Sequence, residues 1–364
     1  MRKNLLSLSI FLLLLINVQA AAQTIVISPT IDSLPKGYLC HRTTGRITID
    51  GKLNEDSWRN VPWTDDFVDI QGGSKPNPRF RTRVKMLWDD SSLYIGAEFE
   101  EPHVWANLRQ RDTVIFYDND FEVFMDPNGD NIEYYEMEMN ALNTVWDLFL
   151  PIPYKDGGSA VDSWNIAGLR TAVHITGTLN NPNDTDKGWS VEIAMPWSSL
   201  KEYSHRPAPP EEGDTWRINF SRVEWQTEIS GGAYHKIKGK PEDNWVWSPQ
   251  GVIDMHRPEM WGYIQFTKLR SGESQYHPDP FAVERRTLMK LYYAERVYHE
   301  KNHRYTQDIN ELSFGNVTGS LQELNPVIHL TPEGYLITVN QIGNSHTIGK
   351  WHIRQDSKIW NSGE

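Results

Sequence analysis

The stretch from Thr82 to Asn140 constrains the fold of this chain more than any other, because apolar and polar residues alternate along it with a period of two. Successive side chains of a β-strand point to opposite faces of the sheet, so alternation sorts residues onto two faces. In the segment from Asp120 to Asp126, Phe121, Val123 and Met125 share one face, while Asp120, Glu122, Phe124 and Asp126 share the other. Asp126-Pro-Asn-Gly-Asp130 is a turn signal, and the return strand puts Tyr135, Met137 and Met139 on one side and Glu136, Glu138 and Asn140 on the other. Paired as a hairpin, these strands present an apolar face backed by one rich in carboxylates and an amide.

The same pattern recurs along the chain. Strands are expected at 46–51, 83–89, 93–100, 120–126, 134–140, 144–150, 169–175, 188–195, 215–223 and 262–267, with Gly, Pro, Asn and Asp clusters between them. Many short strands without alternating helices predict a mostly β protein, a two-sheet antiparallel β-sandwich. Composition shifts after Leu269. Residues 271–280 read as a linker, and 281–364 as a small C-terminal α+β extension of unknown role. In it Asp279-Pro280 opens a helix reaching about His299, followed by strand candidates at 327–330, 335–340 and 350–355.

At the N-terminus, Met1-Arg-Lys, an apolar run to Ile16 and the small residues ending at Ala22 have the form of a secretory signal, residues 1–22. The apolar run is shorter than the ~20 residues of a spanning helix. A location across the inner membrane, periplasmic or extracellular, is therefore expected. Residues 23–40 read as an extended lead-in to a domain spanning 41–270. Cys40 is the only cysteine, so no internal disulfide can form, and nothing nearby pairs it with a histidine base. The net charge of −12 becomes about −14 once Arg2 and Lys3 leave with the signal. Such a balance excludes nucleic acid as the partner. It also argues against acidic polysaccharides held by bulk charge, but not by a local basic pocket. Neutral glycans are the readiest partners, and 15 tryptophans with 15 tyrosines leave rings to spare for stacking on a ligand.

Five segments, in order, resemble a family 9 carbohydrate-binding module of the wider DOMON-like β-sandwich group. They are Ile49-Asp-Gly51 with Trp58; Val84-Lys-Met-Leu-Trp-Asp-Asp90 with Leu93-Tyr-Ile-Gly-Ala97; Asp120-Phe-Glu-Val-Phe-Met-Asp126; Gly188-Trp-Ser-Val-Glu-Ile-Ala-Met-Pro-Trp197; and Trp247-Ser-Pro249 with the run from Pro258 to Gly262. The resemblance implies recognition of plant cell-wall sugar, often as a module of xylanases, with a sugar stacked between two aromatic rings and its hydroxyls held by polar side chains. It places Glu122 and Asn140 on the sugar's hydroxyls and the first ring at Phe116 or Tyr117, of which Tyr117, with its hydroxyl, suits a wet rim. Glu138 stands where the family carries an arginine, and Trp247, with Trp245 beside it, is the candidate for the second ring.

Other readings compete at these positions. Asp120 and Glu122, or Glu122 and Glu138, would serve a glycoside hydrolase, whose two carboxylates lie ~5–9.5 Å apart. A haem-binding DOMON-like domain would need a methionine or histidine ligand, but Met137 and Met139 are expected to face the core. No cofactor is certain. Asp126 and Asp130 suit either a turn or oxygen ligands of a structural calcium, although the EF-hand spacing is missing. Arg222 either replaces the absent arginine or pairs with Glu224 or Glu192.

Overall fold

A computed structural model describes residues 34–314, 321–343 and 346–363. The expected signal segment and most of the lead-in lie outside the described residues. The last part of the lead-in is a strand, β1 (Gly37–Arg42), which runs parallel to its neighbours on both sides. This departs from an all-antiparallel sandwich.

Twelve strands form one hydrogen-bonded sheet, ten of them along a single path. Its first half comprises β1, β2 (Val68–Asp69), β3 (Thr82–Trp88) and β4 (Ser92–Glu100). The next strands are β5 (Asp120–Asp126), β6 (Tyr134–Asn140), β7 (Val145–Leu150), β8 (Arg170–Thr176), β9 (Gly188–Pro196) and β10 (Thr215–Glu224). A separate hairpin joins β11 (Thr227–Ser230) to β12 (Ala233–Lys236). The sheet is completed by β13 (Asp243–Val246) and β14 (Gly262–Thr267), its path in the order β7-β6-β5-β10-β14-β1-β3-β4-β9-β8, with β13 and β2 branching from β10.

The path curls so that its two ends face each other. Val84, Met86, Ile95, Val191 and Ile193 from one half share a core with Val123, Met125, Met137, Met139, Ile218 and Phe220 from the other. Phe99 meets Phe121 edge-on across the gap, with ring centroids 5.2 Å apart. This is a β-sandwich closed through β1 and β14. The alternation in β5 and β6 drives it, because the residues sorted onto one face there are those that fill the core.

The segment around Arg46–Gly51 is not a strand, contrary to its sequence pattern. Its backbone is held instead by a buried carboxylate: Glu192 accepts from the N–H groups of Asp50 and Gly51 at 2.8 and 2.9 Å and from Trp58 Nε1 at 2.8 Å. Gly51 has φ of +83°, and a side chain there would run into the backbone of Val173 and His174. Trp58 lies in the one-turn helix α1 (Asp56–Arg59). A second one-turn helix, α2 (Trp197–Leu200), follows β9.

Beyond the sandwich, helix α3 (Ala282–Asn302) packs on a four-stranded antiparallel sheet of β15 (Val327–Thr331), β16 (Gly334–Gly343), β17 (His346–Arg354) and β18 (Ile359–Asn361), with α4 (Leu321–Leu324) beside it. Leu288, Leu291, Tyr292, Ile337, Val339 and Ile353 form its own core. Among the described residues, no helix is long and apolar enough to cross a membrane.

Candidate functional site

Placing Phe121, Val123, Met137 and Met139 in the core turns Asp120, Glu122, Glu136 and Glu138 outward. Backbone pairing then aligns a row across four strands: Ser221 of β10 opposite Glu122, Glu122 opposite Glu138, and Glu138 opposite Trp146 of β7. This face is not the open, solvated surface that alternation alone suggests. Every residue of β5 and β6 is buried. Ile70, Val246, Met255 and Trp261 lie over Phe124, Tyr134 and Leu148, forming a second apolar layer on the outer side. The segments carrying that layer are distant in sequence, which is why period-two reasoning could not see it.

Asp120, Glu122 and Glu138 bring carboxylate oxygens within 4.8 Å of one another, at 0, 6 and 2% exposure. Phe116 N–H donates to Glu138 at 3.1 Å and Val223 N–H to Asp120 at 3.2 Å. The other Asp120 oxygen has no hydrogen-bond partner among the described residues. Burial raises all these acids: Asp120 and Glu138 well above the usual carboxylate range, with the Glu122 charge adding to both, and Glu122 to about 7. Glu136 is pushed up for the same reasons. Carboxylates clustered and buried in this way titrate as a coupled set and are short of hydrogen-bond donors.

The aromatic rim stands beside this cluster. Tyr117 is 55% exposed and Phe116 half-buried, their rings 4.9 Å apart in the short turn preceding β5. Trp225, just past β10, donates its Nε1–H to the Phe116 carbonyl at 2.9 Å. Lys236 of β12 lies over the Trp225 ring at 3.6 Å and the Tyr117 ring at 5.6 Å. One turn thus offers rings on its outer side and, through Phe116 N–H, holds Glu138 on its inner side. Trp225, Lys236 and Trp146 were missed in the sequence. The only signals were a tryptophan two residues beyond a predicted strand and another opposite an outward glutamate.

Other predicted positions have different roles. Asn140 is fully buried: its Nδ2 donates to Leu108 O and Asp118, and its Oδ1 accepts from the backbones of Leu142 and Thr144. Its amide ties down a turn and has no capacity left for a sugar hydroxyl. Trp247 is 1% exposed in the main core, against Phe220 and Gly262, so it cannot be the second stacking ring. The two oxygens of Asp126 accept from Gly129 and Asn131 N–H, both at 2.8 Å, and Asp130 accepts from Ile132 N–H and pairs with Lys358 at 3.4 Å. These acids build the turn. Among the described residues, the carboxylate trio close enough to share a cation is Asp120, Glu122 and Glu138 instead. Arg222 is an internal ion-pair residue, bound to Glu101 and Glu224 at 2.8 Å each. As a hydrolytic pair, Glu122 and Glu138 stand side by side on one sheet face, whereas a glycosidase flanks the scissile bond with its two acids.

Comparison with known proteins gives a consistent setting. The family described as carbohydrate family 9 binding domain-like matches residues 49–211. Endo-1,4-beta-xylanase A of Thermoanaerobacterium saccharolyticum is 30% identical over 156 residues, 43% of this chain and 11% of that enzyme. Exoglucanase XynX of Acetivibrio thermocellus is 28% identical over 156 residues, again 43% of this chain and 12% of the enzyme. The chain therefore matches only about a tenth of the length of these relatives. Two structures of a family 9 carbohydrate-binding module from Caldicellulosiruptor kristjanssonii, with cellotriose and with glucose, are each 17% identical with a TM-score of 0.42. They cover 67 and 65% of this chain, respectively, and all of the module. The segment matched by the carbohydrate family 9 binding domain-like model, residues 49–211, is the one that carries the carboxylate cluster and its aromatic turn.

Proposed function

We propose that this protein is an exported, non-catalytic carbohydrate-binding protein that takes a β-1,4-linked glucan or xylan chain at the Tyr117 turn. The observation that carries this reading is that the turn bearing the 55%-exposed Tyr117 ring is tied, through Phe116 N–H, to the clustered carboxylates of Asp120, Glu122 and Glu138. A pyranose ring presents a C–H face to an aromatic and hydroxyls at its edge. Tyr117 and Trp225 supply the first contact, and Glu122 accepts from the hydroxyls. Hydroxyl donors suit a site rich in acceptors, and a buried acceptor left unpaired penalises a ligand lacking them. The xylanase and exoglucanase relatives supply the substrate class, the family supplies the binding role, and the N-terminal signal pattern supplies export to the periplasm or cell surface.

Isothermal titration with cello- and xylo-oligosaccharides tests it. Binding that Tyr117→Ala weakens, with no release of reducing ends, is the expected outcome. Turnover abolished by Glu122→Gln would establish a hydrolase instead.

A further inference from the structure

The outer face of β10 has a second end, and its chemistry is opposite. Arg217 lies there, four residues along β10 from Ser221, at the wall of a cavity of about 950 Å³ between the sandwich and the C-terminal unit. That size is typical of small-ligand sites. The sandwich contributes Arg217, Tyr263 and the turn around Gly129, while Arg285 comes from α3 and Phe281 from the residue just before it. The C-terminal sheet adds Trp351, Arg354 and Trp360, and the turn between β17 and β18 adds Lys358. Neither unit alone would make the cavity.

Five Arg or Lys residues line it against three Asp, in a chain whose net charge is −12. Three of the cations have partners: Lys358 pairs with Asp130 at 3.4 Å, Arg285 with Asp279 at 3.6 Å and Arg354 with Asp356 at 2.5 Å, while Asp279 also accepts from the Tyr263 hydroxyl at 3.0 Å and Asp214 from the Glu211 N–H at 2.7 Å. Arg285 also donates to the Gly129 carbonyl. Arg217 is 4% exposed and donates only to backbone carbonyls, Glu259 O at 3.2 Å and Trp261 O at 2.7 Å. Its strand neighbour Asp126 spends both oxygens on the turn. Arg217 Nε and the indole N–H of Trp351, itself 7% exposed, have no hydrogen-bond partner among the described residues. A buried guanidinium without a bonded carboxylate is costly unless an anion completes it. Trp360 and Phe281 add ring surface to the same wall.

We propose that this cavity is a second saccharide site, selective for a carboxylate-bearing sugar. The uronate carboxylate docks on Arg217 and the Trp351 N–H, and the pyranose lies against Trp360. The site is independent of the Tyr117 turn and gives the C-terminal unit a role, closing a cationic pocket over a neutral-glycan module. It suits a wall polysaccharide whose backbone is neutral and whose branches carry uronic acid.

The test is calorimetric titration of the full chain with trigalacturonate, glucuronate, cellotriose and inorganic phosphate. The expected result is uronate binding that is weakened roughly tenfold or more by Arg217→Gln, as loss of a charged hydrogen bond implies. Trp360→Ala and Arg354→Gln weaken it too, and phosphate does not displace it. The latter two residues are only half-buried, so these variants keep the test decisive if Arg217→Gln fails to fold. Absence of uronate binding, displacement by phosphate at equal concentration, or affinity unchanged in all folded variants overturns the proposal.

Discussion

Replacing Glu122 with glutamine should stabilise the protein at neutral pH while weakening its hold on sugar. Glu122 is 6% exposed, and burial lifts its carboxyl from 4.5 to about 7, beside Asp120 and Glu138. Because the folded value lies above the unfolded one, the group's stabilising contribution is full below about pH 4.5 and is lost as pH climbs towards 7. That interval corresponds to about 3 kcal/mol. Neighbouring acids compete for the same protons and ionise more easily once Glu122 is gone, so the net gain is about 1–3 kcal/mol. Urea unfolding of wild type and Glu122→Gln at about pH 4 and about pH 8 measures it directly. The two proteins should lie close together in acid, and the variant should be the more stable at about pH 8. A variant equally destabilised at both pH values would refute the claim that these acids are held under electrostatic stress. Sites that bind ligands commonly retain such cost.

Other substitutions separate structure from binding. Tyr117→Ala, at an exposed ring, should change stability by less than about 0.5 kcal/mol yet lower oligosaccharide affinity roughly tenfold, read by thermal unfolding and titration. Trp247→Ala should cost about 3–5 kcal/mol in denaturant unfolding, because its ring is 1% exposed in the main core. Gly262→Ala should cost about 1–3 kcal/mol, since its methyl would stand 2.4 Å from the Trp247 ring. Cys40 is buried with its thiol pushed up by desolvation, so it should resist a thiol reagent until the protein unfolds.

Much of the sandwich was legible in the sequence because its strands carry alternation that only one register satisfies. Asp120–Asp126 and Tyr134–Asn140 show it best, with core and outer faces sorted as their residues predict. Arg46–Gly51 misled because its alternating pattern serves a loop pinned by Glu192, a long-range contact with no local signature. β1 escaped notice for a related reason. Its parallel partners lie far along the chain, and its Gly37 and Cys40 give little strand signal.

The site was harder to read than the fold. Local pattern put Glu122 and Glu138 on one face, since neighbouring strands decide that, while the first ring at Phe116 or Tyr117 came from the family resemblance. It failed for Trp247 and Asn140, whose family positions suggested sugar contacts but whose surroundings consume them. Trp247 fills space above Gly262, and Asn140 satisfies four backbone or side-chain groups around its turn. Trp225 and Lys236 reach the rim through the β11–β12 hairpin and the end of β10, a juxtaposition that no sequence spacing encodes.

A crystal structure of the protein with a cello- or xylo-oligosaccharide tests the central claim most directly. The account predicts a pyranose face against Tyr117, with a hydroxyl donating to Glu122. A sugar bound elsewhere while the Tyr117 turn and the carboxylate trio stay untouched would contradict it.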